Sequence, residues 1–64
     1  MNRKLKAKIV ENFFNQANFA QVIKTDETII SRVIHGRRTL PVLVQKKWAD
    51  ILGCSREEIF PVEN

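Results

Sequence analysis

Sixty-four residues that are 44% hydrophobic and 28% charged, with only two Gly and two Pro, suit one folded domain and exclude collagen-like, linker or disordered sequence. One cysteine, Cys54, excludes an internal disulfide framework and a Cys-rich zinc site, and the length is read as leaving no room for a second, ligand-sensing domain or a two-lobed enzyme cleft. The net charge of +4 is uneven: residues 1–49 hold ten Lys/Arg and three Asp/Glu (+7) and residues 50–64 one Arg and four acids (−3), so the basic part can face a polyanion with the acidic tail turned away.

The hydrophobic periodicity is helical throughout, with no sustained alternation of period two, and predicts an all-α chain of five short helices. The first runs from about Arg3 to Asn12, with Leu5, Ile9, Val10 and Phe13 at helical spacing and Lys4, Lys6 and Lys8 facing outward. The second starts near Gln16 behind Asn15 as N-cap, its apolar stripe formed by Phe19, Ala20 and Ile23. Lys24-Thr25-Asp26 then make a three-residue turn. Asp26 caps the third helix, which runs to His35, and Gly36 supplies a left-handed stop. The fourth follows Pro41, placed in its first turn, and ends at Leu52-Gly53, with Val44, Trp48, Ile51 and Leu52 along one side. A short fifth helix opens on Ser55-Arg56-Glu57-Glu58, a capping-box pattern. It directs Ile59 and Phe60 to the core and stops at Pro61.

No apolar run approaches the roughly 18 residues of a membrane span. No apolar stretch follows the basic start Met1-Asn2-Arg3-Lys4 to make a secretory signal, so a cytoplasmic, membrane-free protein is expected. Cys54 lies among apolar residues with no base partner and reads as packing. His35 has no nearby ligands with which to hold a metal; it either approaches a phosphate or is a solvated helix-terminal residue. There is no nucleophile elbow and no Gly-rich phosphate loop, so neither catalysis, cofactor nor small-molecule ligand is expected.

The functional signal lies in the third helix. Two helices joined by so short a turn have the geometry that lays the second into a DNA major groove. At about 100° per residue, Ile29, Ile30, Val33 and Ile34 occupy one half of this helix. Thr28, Ser31, Arg32 and His35 occupy the other, with Glu27 at its edge. Hydroxyls can bond base edges or phosphates, and an Arg can fork onto guanine O6 and N7. A polar outward face is also what any surface helix shows.

The run from Asn15 to Arg38 resembles the helix-turn-helix of the phage-repressor/Cro family, the xenobiotic-response-element family of bacterial and phage regulators. Gln16, Ala20, Ile23, Ile30, Ser31, Val33 and Gly36 match its pattern, including the sixteen-residue step from Ala20 to Gly36. Trp48-Ala49-Asp50-Ile51-Leu52-Gly53 and the following Cys54 to Phe60 are similar to its fourth and fifth helices, so the likeness spans Leu5 to Phe60. The resemblance implies a compact five-helix, lambda-repressor-like domain that binds double-stranded operator DNA as a two-fold homodimer and represses transcription. By position, Gln16 is then expected at a phosphate. Glu27, Thr28 and Arg32 are expected at base edges, and Ser31 at either. Lys24, Arg37 and Arg38 are expected on the backbone.

Three departures from the family pattern stand out. Lys24 occupies a turn position that is usually Gly, and a left-handed Lys costs roughly 1–2 kcal/mol. Phe13 falls where a Gly often ends the first helix, so that corner is expected to be built differently. Ile9 and Ile34 stand where many members pair an Arg with a Glu, which implies an apolar contact in place of an ion pair. Glu27 either accepts from cytosine N4 or is solvated helix-start charge. Trp48 reads as core. Leu40, Val42 and Leu43 either complete the core or form a self-complementary dimer patch. The alternative to DNA binding is a protein-interaction module on the same fold, in the manner of an antirepressor or an antitoxin subunit.

Overall fold

A computed structural model describes residues 1–60. The chain folds into α1 (Arg3–Phe13), α2 (Gln16–Ile23), α3 (Glu27–Ile34), α4 (Val42–Leu52) and α5 (Arg56–Ile59), with no strand among the described residues. The all-α expectation holds, and each helix end differs from the sequence reading by at most a residue or two. Among the described residues no helix is long and apolar enough to cross a membrane.

Side-chain caps start the first three helices. Asn2 Oδ1 accepts from the Leu5 N–H at 3.0 Å, Asn15 Oδ1 from Asn18 at 2.8 Å and Asp26 Oδ1 from Thr28 at 2.9 Å. Each acceptor satisfies a first-turn N–H that has no partner inside its helix. The last two helices depart from expectation. Pro41 is the N-cap of α4 rather than a first-turn residue, and no side chain caps that end. Ser55 makes no capping-box bond with its side chain; its backbone oxygen accepts from the Glu58 N–H instead. Pro61, expected as the stop of α5, lies outside the described residues.

Four corners use positive φ. Gly36 and Gly53 supply two of them at no steric cost. Lys24 takes the left-handed conformation (φ 56°, ψ 48°) in the turn between α2 and α3. The corner after α1 is made at Phe14, one residue beyond the expected Phe13. Phe14 has φ 75° and ψ −46°, and the Asn15 N–H reaches back to the Phe13 carbonyl at 2.9 Å, closing a γ-turn of the strained hand. Its ring is 80% exposed, so no packing offsets that strain.

All four other helices pack against α1. Its Leu5 and Ile9, four residues apart and therefore on one face, are fully buried. Phe19 of α2 is also fully buried, 5.2 Å from the Phe13 ring and 5.3 Å edge-on to Trp48 of α4. Trp48 in turn lies 6.3 Å from Phe60, so one aromatic column links α1, α2, α4 and the end of α5. Ile9 and Ile34 lie in the same core, 0% and 1% exposed, where an Arg–Glu pair would have to be desolvated. Leu40 is 8% exposed and completes this core, so of its two expected uses the surface dimer patch is corrected for this residue. The Cα radius of gyration, 10.5 Å, is close to the ~10.7 Å expected for a single packed unit of this length.

Two stability predictions follow from the strained corners and the column. Lys24→Gly and Phe14→Gly should each raise unfolding free energy in urea by about 1 kcal/mol, because release of left-handed strain exceeds the added freedom of the unfolded chain. Unchanged or lower midpoints would remove strain as the account of these corners. Phe19→Ala should cost about 3–5 kcal/mol. That is a large part of the roughly 3–10 kcal/mol expected for a domain of this size, so loss of the cooperative far-ultraviolet melt is the expected result.

Candidate nucleic-acid interface

The two halves of α3 are physically separate. Ile30, Val33 and Ile34 are buried, and Ile29 packs partly against the core. Glu27, Thr28 and Arg32 are exposed and Ser31 is half-buried. The helix is therefore fixed through its apolar half, and its polar half is offered outward on a rigid support.

Gln16 reaches this polar half from the first turn of α2. Together with Glu27, Thr28 and Ser31 it lines a shallow groove of about 260 Å³. The turn after α2 sets this approach: the Thr25 N–H donates to the Ala20 carbonyl at 3.0 Å and the Lys24 N–H to Gln21 at 3.3 Å, which closes α2 and redirects the chain into α3. Four of the residues read from the sequence as DNA-facing are thus neighbours on one surface. Arg32 is exposed on the same polar half but does not line the groove.

The expected backbone-contacting cations bracket that surface. Lys24 is exposed at the entry to α3, and Arg37 and Arg38 are exposed just past its end. Among the described residues none of Lys24, Arg32, Arg37 or Arg38 forms an ion pair. The salt bridges there are Lys8–Glu11 at 3.8 Å, Lys8–Glu58 at 3.7 Å and Arg56–Glu57 at 4.0 Å. The acids near this polar surface are accounted for in part: Asp26 is held as the α3 cap, while Glu27 is exposed in the first helical turn, where its charge suits the helix dipole.

The C-terminal end of α3 is anchored from the opposite direction by a residue the sequence reading passed over. The Asn2 N–H donates to the Ile34 carbonyl at 2.6 Å, Asn2 Oδ1 caps α1, and Asn2 Nδ2 donates to the Ile59 carbonyl. One residue thereby ties three helices together: its backbone N–H holds α3, and its side chain joins α1 to α5. Only its position just ahead of an amphipathic helix hinted at a cap, and the long-range bonds carry no sequence signal.

Other expectations fall out simply. His35 is the exposed C-cap of α3. Val42 and Leu43 remain as an exposed apolar pair at the start of α4, Leu43 being 73% exposed. Cys54 is half-buried, and burial, reinforced by the neighbouring Glu58 carboxylate and opposed by Lys8, pushes its thiol above its ordinary value. That lowers its thiolate fraction and with it its nucleophilicity. Comparison of the chain with models of protein families, with curated proteins and with solved structures finds no match in any of the three.

Proposed function

We propose that this protein is a sequence-specific, double-stranded DNA-binding transcriptional regulator of the phage-repressor/Cro type, with α2 and α3 as its helix-turn-helix and α3 as the element that enters the major groove. One observation carries the reading. The outward half of α3, joined by Gln16, is a single exposed polar surface bracketed by the cations Lys24, Arg37 and Arg38, none of them in an ion pair among the described residues. Cations free of intramolecular partners can release counterions from a phosphate backbone, and this supplies sequence-independent affinity. Thr28, Ser31 and Arg32, with Glu27 at cytosine N4, supply the base readout.

One such module covers only about 600–1,000 Å² of DNA. Two copies on half-sites about one helical turn apart give the specificity a genome demands, and the exposed Val42 and Leu43 offer an apolar surface for pairing. Repression follows when the occupied operator overlaps a promoter. The same exposed pair is what favours the second reading, a protein-interaction module whose main contact is another protein.

Selection of bound duplexes from a random pool tests the proposal directly: a recovered palindrome supports it, and failure to retain any duplex at low salt overturns it in favour of the interaction module. Within the DNA reading, Arg32→Ala should cost about 1–3 kcal/mol on the selected site and relax preference at one base pair. A variant with wild-type preference at every position would remove Arg32 from base readout. Arg37→Ala should weaken binding to all sequences alike and reduce the slope of log K against log[salt] by about 1. Equal slopes for variant and parent would remove Arg37 from the phosphate set.

A further inference from the structure

Helix α1 buries one side and leaves the other without a partner. Leu5 and Ile9 face the core, while Arg3, Lys4, Ala7, Val10, Glu11 and Phe14 are all exposed. Arg3, Ala7, Val10 and Phe14 follow one another at steps of four, three and four residues. At about 100° per residue, that spacing keeps the four positions within about 60° of one another, on the side away from Leu5 and Ile9. A four-three repeat along one side of a helix is the spacing with which two helices pack lengthwise. Among the described residues nothing covers this row: Val10 is 49% exposed and Phe14 80%.

Two independent features say what covers it. The first is the strained corner. The Phe14 N–H donates to the Val10 carbonyl at 2.9 Å, so Phe14 sits one turn beyond Val10. It carries an aromatic ring at φ 75°, and within the single chain no packing offsets the cost. Strained backbone gathers at functional positions, and aromatic residues are frequent anchors of interfaces. The second is charge. Lys4 and Glu11 lie along the same edge of the row, near its opposite ends. Two copies of α1 set antiparallel about a two-fold axis bring Lys4 of each beside Glu11 of the other. The same register sets Ala7 against Val10 and the Arg3 guanidinium against the Phe14 ring. A parallel pair would instead oppose Lys4 to Lys4 and Glu11 to Glu11. Glu11 is 67% exposed and its contact with Lys8 of the same helix is long, 3.8 Å, so it is open to a second cation.

We propose that the outward face of α1 is a self-association surface, occupied by α1 of a second copy of this chain in an antiparallel two-fold pair. Three turns of one helix bury less than the roughly 1,200–2,000 Å² of a standard interface, so the pairing is weak and reversible. The contact requires no DNA and lies on a different helix from Val42 and Leu43. Its failure and the failure of the DNA reading are therefore separately visible.

The test is sedimentation equilibrium of the whole chain, without DNA and at low salt, from about 10 μM to about 1 mM, the range in which so small an interface is measurable. The average mass should rise from one chain towards two. Phe14→Gly, which removes the anchor and relieves the corner, should weaken association at least five-fold while the helical circular dichroism is kept. Lys4→Glu and Glu11→Lys, both exposed changes, should each weaken it several-fold. The double variant Lys4→Glu/Glu11→Lys should restore it, because the opposite charges meet again across the pair. Glu11→Lys and the double variant both lose the Lys8 contact, so that loss does not account for a restoration. A mass of one chain over the whole range would overturn the proposal. So would parent-like association in Phe14→Gly, or a double variant no better than its single parents, which excludes the antiparallel register. Association abolished by Leu43→Ser and kept in Phe14→Gly would place the contact on α4 and overturn it too.

Discussion

The structure depends on one helix touching every other. With about sixty residues there is no spare layer, and α1 lies against α2, α3, α4 and α5 at once. Leu5 and Ile9 are buried completely because they sit a turn apart on the one face that all four neighbours share. Phe13 extends that row into the aromatic column through Phe19 and Trp48. Removing any member disturbs several helix contacts together, since the same side chains serve more than one interface.

This economy explains how so small a unit holds an exposed helix rigid. Ile30, Val33 and Ile34 of α3 lock into the core, Asp26 caps its start, and Asn2 holds the carbonyl of Ile34 at its end. The polar half is left free of structural duty, so its residues can be exchanged without altering the fold. The opposite half has a different consequence. Past the last turn of α3, the described residues leave a groove lined in part by Arg3, Lys4 and Arg38.

Much of this was legible in the sequence, and the parts that were not share a cause. Helix period, the Asn15 and Asp26 caps and the two glycine stops are local signals, and the helices appear where those signals place them. Ile9 and Ile34, for which the resemblance implied an apolar contact in place of an ion pair, are both buried in the one core. The failures concern side chains whose role depends on distant residues. Leu40 looked like surplus apolar surface next to Val42 and Leu43, yet it turns inward onto the core. Arg56 looked like part of a capping box, yet its guanidinium is bound by Gln45 from α4. Asn2 bonds Ile59, fifty-seven positions away. Phe14 was missed for another reason: an aromatic residue at positive φ violates local preference, and the chain tolerates it to turn a tight corner. Of the candidate DNA-facing set, the gathering of Gln16 with Glu27, Thr28 and Ser31 follows from helix spacing and a short turn, while the second groove depends on how α4 and α5 return to the N-terminal segment.

The aromatic column also equips the molecule with its own optical reporter. The chain has one Trp and no Tyr, so its near-ultraviolet emission comes from a single indole. That indole is 5% exposed, stands perpendicular to Phe19 and lies beside Phe60, which lines the cationic groove. Loss of the column moves the indole into water, and displacement of Phe60 changes its surroundings with the fold intact. Unfolding and any shift of Phe60 therefore act on the same chromophore, and its emission can follow each without an attached label.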